Sequence, residues 1–222
     1  KFEFGISLSL PSRDACLANK TLQSQFFDIL ERAVDIKPDS IWFDNIRFPG
    51  KWETQGKKIK YHIHKECRFC KGKDRVEIVS KLASRLKAKI PAPVKTGYFA
   101  VPFRKDDKGS WEKSIGQDHQ KLGKIFDYVS PMLYHRMIGK PVSYISEYVK
   151  YLDALDIKAE IIPIIQLKDM PDELPDKLTL REIEQEVDEA MKPPSAGVAV
   201  FSWDQTIEKN KLNVVSRILR KI

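Results

Sequence analysis

The sequence has no apolar run approaching the ~20 residues that a membrane-spanning helix needs, so a membrane span is excluded from the 222 residues. Cysteine is scarce: Cys16, Cys67 and Cys70 are too few and too odd in number for a disulfide framework, and they fix no redox compartment. No glycine-rich loop follows any strand-like run, which argues against a nucleotide-binding sheet. No block of one charge sign dominates. Lys+Arg total 39 against 31 Asp+Glu, a net +8, with bases and acids interspersed. The densest basic stretch, Lys57–Arg75, reads as a solvated surface, so a nucleic-acid partner is not favoured. With 42% hydrophobic and 32% charged residues, the composition excludes disorder, collagen and a long coiled coil.

Two periodicities alternate along the chain. Strand-like apolar runs occupy Phe2–Leu10, Ile41–Phe48, Thr96–Phe103, Asp127–Tyr134, Lys158–Leu167 and Ala196–Trp203. Helical stripes occupy Thr21–Ile36, Val76–Ile90, Gln117–Phe126, Ser143–Leu155, Thr179–Met191 and Leu212–Leu219. Thr179 and Glu182 have capping-box spacing. Apolar strands alternating with amphipathic helices predict an α/β fold, a parallel sheet covered by helices, either open or closed as a (β/α)8 barrel. Pro102, Pro131 and Pro163 fall inside strand-like runs; central strands disfavour proline, so the strands should end or bulge there. An inserted loop, residues 50–75, separates the second strand from its helix. In a barrel, loops after strands build the active site.

Asp44 is the strongest chemical candidate, because a carboxylate in an apolar strand is costly unless paired or functional. Alternation puts Trp42, Asp44 and Ile46 on one face, and Arg47 is near enough to hold Asp44 ionised. An Asp44–Arg47 pair that merely closes the strand is the structural alternative. Tyr134 and His135 end the fourth strand and face the expected cleft. Asp127, at that strand's opposite end, reads as structural. Gln166 ends the fifth strand, and Trp203 and Asp204 end the last; a tryptophan there offers an apolar ring face to a sugar. Glu53 lies just beyond the second strand. Cys67-Arg-Phe-Cys70, with His64 close before it, has zinc-ligand spacing. Loops after consecutive parallel strands are neighbours, so Cys16 can join them. Structural zinc, free thiols and a Cys67–Cys70 bridge all remain open.

IWFDNIRFP, FDYVSPMLY and GVAVFSWDQ, in that order, resemble the strand signatures of glycoside-hydrolase-like (β/α)8 barrels. Asp44 and Arg47 are similar to an aspartate–basic pair on an α-amylase-superfamily strand. Met132, Tyr134 and Trp203 are similar to strand residues of chitinase-like barrels. Ile46 stands where a chitinase has its catalytic glutamate, so the acid is unassigned. The cysteine cluster resembles zinc-binding loops of some β-galactosidases.

The resemblance implies a glycoside hydrolase acting on an oligo- or polysaccharide with two carboxylates. Asp44 would be nucleophile or base, with Glu53 or Asp204 as partner. Trp42, Arg47, Met132, Tyr134, Gln166 and Trp203 would bind sugar. No cofactor is needed for this chemistry, and Cys16, His64, Cys67 and Cys70 would hold at most a structural zinc. A non-catalytic carbohydrate-binding barrel is the alternative. The six units match strands 3–8 of one barrel domain over residues 1–222, with the first two strands expected from an upstream segment.

Overall fold

A computed structural model describes residues 3–11, 15–49, 67–105, 111–169, 176–208, 211–213 and 215–216. The chain divides into two compact units, Lys1–Tyr128 with Ile157–Ala159, and Val129–Asp156 with Glu160–Ile222.

The first unit contains β1 (Gly5–Ser9), α1 (Lys20–Asp35), β2 (Ser40–Asp44), α2 (Arg75–Ala88), β3 (Lys95–Ala100), α3 (Trp111–Ile115) and α4 (His119–Ile125). β1, β2 and β3 are parallel neighbours in that order, with Ile6, Ile41 and Thr96 in register, then Ser7, Trp42 and Gly97. Asn19, Asp74 and Asp118 cap α1, α2 and α4, each accepting backbone N–H groups of the first turn. Alternation along the strands creates two faces. Ile41, Phe43 and Tyr98 are fully buried. Phe43 meets Phe26 of α1 at 6.4 Å and Phe126 at 5.4 Å, and Tyr98 meets Phe126 at 5.5 Å. Burying each such ring stabilises the fold by about 1.5–3 kcal/mol.

The opposite face carries Ser7, Ser9, Trp42, Asp44, Gly97 and Phe99. Trp42 stacks on Phe99 at 5.6 Å and on Tyr128 at 5.5 Å. A Cβ on Gly97 would collide with the Trp42 ring, so glycine is what lets the indole lie over β3. Gly97→Ala should therefore destabilise the fold by about 1–3 kcal/mol, the cost of overpacking. Denaturant unfolding reads this loss, and a change in tryptophan emission reports the displaced indole.

Two polar devices finish this sheet. The fully buried Gln117 accepts from Val101 N at 2.8 Å and donates to Phe99 O at 3.0 Å, extending β3 with a side-chain amide. Asp127 accepts from Thr96 N at 2.7 Å, Thr96 Oγ1 at 2.9 Å and Lys87 Nζ at 2.5 Å. Burial raises its pKa, but Lys87 and Thr96 outweigh burial and hold it below the ordinary value. The structural reading of Asp127 fits this geometry. Asp127→Ala leaves Lys87 and the Thr96 donors without their acceptor, so it should cost about 1–3 kcal/mol in urea denaturation at neutral pH. Because the folded pKa is depressed, this stability is present above the unfolded pKa. The gap between wild type and variant should close as pH falls through the folded value.

The second unit contains β4 (Tyr128–Pro131, entered from the last residue of the first), α5 (Tyr144–Asp153), β5 (Glu160–Ile161), β6 (Ile164–Gln166), α6 (Leu180–Ala190), β7 (Ala199–Phe201) and α7 (Trp203–Glu208). Ile162 N donates to Val129 O at 2.9 Å, and Leu133 N to Ile164 O at 2.9 Å. Ile164 and Ile165 pair in parallel with Ala199 and Val200. Ile145, Val149 and Leu152 of α5, Ile183 and Val187 of α6, and Ile165 form its core.

Each proline marks a boundary. Pro131 is the last residue of β4, Pro102 lies beyond β3, and Pro163 separates β5 from β6. The single strand expected over Lys158–Leu167 is therefore two, because Pro163 has no N–H for a ladder. The last strand ends at Phe201, short of the expected Trp203, which instead opens α7. The Phe201–Ser202 peptide is cis. The capping box at α6 is half formed. Thr179 Oγ1 accepts from Glu182 N at 3.2 Å, but the Glu182 carboxylate is taken by Arg136 and His135. Among the described residues no helix is long and apolar enough to cross a membrane.

Candidate functional site

Asp44 is the last residue of β2, beside Ser9, the last residue of β1. Its carboxylate accepts from Asn45 N at 2.7 Å, Asn45 Nδ2 at 3.0 Å and Ser9 Oγ at 3.3 Å. Asn45 Nδ2 also donates to Ser9 Oγ at 3.0 Å. Asn45 holds a left-handed conformation, φ 54°, which turns the chain out of β2 and brings its own amide back onto the carboxylate. These partners all donate to the Asp44 oxygens. Asp44 is half-buried, reachable from the face that carries the Trp42, Phe99 and Tyr128 rings.

The turn at Asn45 overturns two expectations. Ile46 is buried and does not continue the face of Trp42 and Asp44, since alternation stops where β2 stops. Arg47 is buried as well and does not pair with Asp44; its Nη1 lies 3.5 Å from Phe48 O. The indole of Trp42 is oriented by a 3.1 Å bond from Nε1 to Ser40 Oγ.

The cysteines converge in this unit. The Sγ atoms of Cys16, which follows β1, and of Cys67 and Cys70, which precede α2, all lie within 4.8 Å of one another. No disulfide joins them. Burial pushes the Cys16 thiol up to about 12 and raises Cys70. At Cys67 burial also raises, but the backbone N–H groups of Phe69 and Cys70 prevail and lower it. Glu53 and His64 lie outside the described residues.

In the second unit Met132 is half-buried and bridges Ile164, and Tyr134 is buried with its ring 5.9 Å from Phe201. Gln166 is fully buried; Nε2 donates to Lys168 O at 3.1 Å, while Oε1 has no hydrogen-bond partner among the described residues. Asp204 is exposed in the first turn of α7, and the Trp203 side chain is outside the described set. His135 corrects the expectation of a cleft residue. It is buried, with Nδ1 2.6 Å from Glu186 Oε1 and Nε2 3.1 Å from Glu182 Oε1. The Nδ1 contact has ion-pair distance without good hydrogen-bond alignment. Arg136 completes the cluster, 2.8 Å from Glu182 and 3.0 Å from Asp169. Burial raises Glu186 to about 7, and its two glutamate partners raise His135 against the effect of burial. The sequence signal for this cluster was Glu182 and Glu186, one turn apart on α6.

A family model described as "Putative glycosyl hydrolase domain" (DUF4015) matches residues 17–159, and the chain belongs to that family. A search of curated proteins finds no match. Solved structures share the fold at low identity. The PgaB (BpsB) glycoside hydrolase domain from Bordetella bronchiseptica aligns with TM-score 0.64 and 12% identity over 90% of this chain and 61% of its own. The spore cortex-lytic enzyme SleL of Bacillus megaterium QM B1551 aligns with TM-score 0.57 and 14% identity over 96% and 58%. A GH18 chitinase from Pseudoalteromonas aurantia aligns with TM-score 0.55 and 10% identity over 90% and 71%. SleL of Bacillus cereus is covered over only 36% of its length, so the chain spans about a third to three-fifths of several of these proteins. The likeness shows the fold: α/β with parallel strands, as in chitinase-like TIM-barrel glycoside hydrolases.

Proposed function

We propose that the chain carries a glycoside-hydrolysing site in which Asp44 is the nucleophile or base. The observation that carries this reading is the arrangement at the ends of β1 and β2. A half-buried carboxylate is held by three donor groups beside an aromatic platform of Trp42, Phe99 and Tyr128. Membership of a glycosyl hydrolase family supports it. The platform suits the apolar C–H face of a pyranose ring. The carboxylate suits attack on the anomeric carbon or activation of water there. Arg47, Met132, Tyr134, Gln166 and Trp203 remain proposed sugar-binding residues. The second carboxylate is sought at Glu53 or Asp204, and Glu53→Gln and Asp204→Asn are the variants that would reveal it.

The test is a glycan panel that includes chitin oligosaccharides and spore-cortex material, since relatives of this fold are named for chitin and cortex. Hydrolysis of a panel member, lost in Asp44→Asn, supports the reading. Binding quenched by Trp42→Ala but without hydrolysis by the wild type would favour a carbohydrate-binding barrel instead.

A further inference from the structure

We infer that Cys16, Cys67 and Cys70 form a zinc site that ties the connection after β1 to the turn before α2. Three thiols from two separate segments converge, and all three Sγ atoms lie within 4.8 Å of one another. Zinc–sulfur bonds of about 2.3 Å in a tetrahedron place sulfurs about 3.8 Å apart. The three cysteines therefore need to draw in by about an ångström at most.

The backbone is already shaped around the sulfurs. Ala18 N lies 3.4 Å from Cys16 Sγ, and Phe69 N lies 3.4 Å from Cys67 Sγ. Each amide is two residues beyond its cysteine, so both segments curl their N–H groups toward sulfur. The turn over Cys67–Cys70 is closed by Lys71 N to Cys67 O at 2.9 Å and Lys73 N to Cys70 O at 3.1 Å. It leads straight into the Asp74 cap of α2. A pairwise bridge explains the convergence less well, because a disulfide between Cys67 and Cys70 leaves the buried Cys16 directed at it without purpose.

A three-cysteine radical iron–sulfur motif would place a cysteine four residues before Cys67, where Ile63 stands. Zinc accepts three sulfurs plus one nitrogen or oxygen donor. On binding, three S–H protons pass to solvent, three Zn–S bonds form, and no electron is transferred. Cys16 lies in the connection leaving β1, whose last residue, Ser9, donates to Asp44. The metal would therefore anchor the chain that leaves the candidate site, without entering the chemistry.

The test is elemental analysis of the wild-type chain purified under reducing conditions without chelator. One zinc per chain is expected. Cobalt(II) in its place should give intense thiolate-to-metal charge-transfer bands and the visible bands of a tetrahedral ion. Chelation should lower the Tm by several degrees, and added zinc should restore it. Cys67→Ser, the least buried ligand, should lose the charge-transfer intensity and bind zinc at least tenfold more weakly while still folding. A folded wild type that binds no zinc overturns the site, as does one that binds copper instead or holds a Cys67–Cys70 disulfide. Glycan hydrolysis is scored separately, so failure here leaves the Asp44 reading standing, and failure there leaves this one.

Discussion

Asp44→Asn should lower glycan hydrolysis by about 10²–10⁴-fold, the range for loss of a positioned catalytic base, and by more if Asp44 forms the covalent bond itself. The fold should survive. The carboxylate accepts from Ser9 and Asn45 and pairs with no cation among the described residues, so a carboxamide of equal size can keep the acceptor oxygen toward Asn45 N. The new NH2 would face Ser9 Oγ, which can turn from donor to acceptor, and the Asn45 side-chain amide, which can flip to present its oxygen. Melting and circular dichroism should therefore be nearly unchanged while turnover collapses. KM should change little, because the sugar platform of Trp42, Phe99 and Tyr128 is untouched.

The second large effect is expected at His135. His135→Ala removes the partner of Glu186, which is 0% exposed. Breaking a buried ion pair from one side costs about 3–5 kcal/mol when the remaining group stays charged. Glu186 can escape part of that cost by taking up a proton, since burial already raises it to about 7. In the variant's penalty this escape is opposed by the loss of the imidazolium itself, which matters most at low pH, so the definite sign belongs to the wild type, whose stability should fall from pH 5 to pH 8. Glu186 has a folded pKa above its unfolded value of 4.5, so its contribution is full below pH 4.5 and is lost as pH rises through about 7. His135 is raised above 6.5, so its contribution is full below 6.5 and lost as pH passes its folded value. Glu182 and Arg136, which face the same imidazole and carboxylate, keep their charges through this window and do not reverse the sign. Urea unfolding of wild type at pH 5 and pH 8 measures this fall, and unfolding of His135→Ala at pH 5 measures the penalty. A wild type equally stable at both pH values, or more stable at pH 8, would show that His135 and Glu186 do not hold their protons more tightly in the fold.

Much of this was legible before any coordinates. The strand order, the covering helices and the meeting of Cys16 with Cys67 and Cys70 follow from parallel topology, which sets successive strand ends side by side. Asp44 stood out because carboxylates are rare inside apolar strands. What was hidden depends on single backbone angles and on side chains that reach across elements. The left-handed Asn45 cut the alternation that had joined Ile46 to Asp44 and moved Arg47 into the core. Pro163 broke one strand into two. Gln117 acts as a piece of strand, which no periodicity announces. His135 looked like a cleft residue because it follows a strand, but two acids spaced one turn apart on α6 drew it inward. Glu182 shows the same competition: its spacing from Thr179 predicted a reciprocal cap, and Arg136 offered a stronger, charged partner.

The role proposed for the carboxylate at the end of β2 is hydrolysis of a carbohydrate. Its most direct measurement is the release of new reducing ends from the first panel glycan that the wild type cleaves, compared with Asp44→Asn at equal concentration. Hydrolysis by the wild type is expected, with a loss of at least about a hundredfold in the variant and the two proteins melting together. Equal rates from wild type and variant would contradict it.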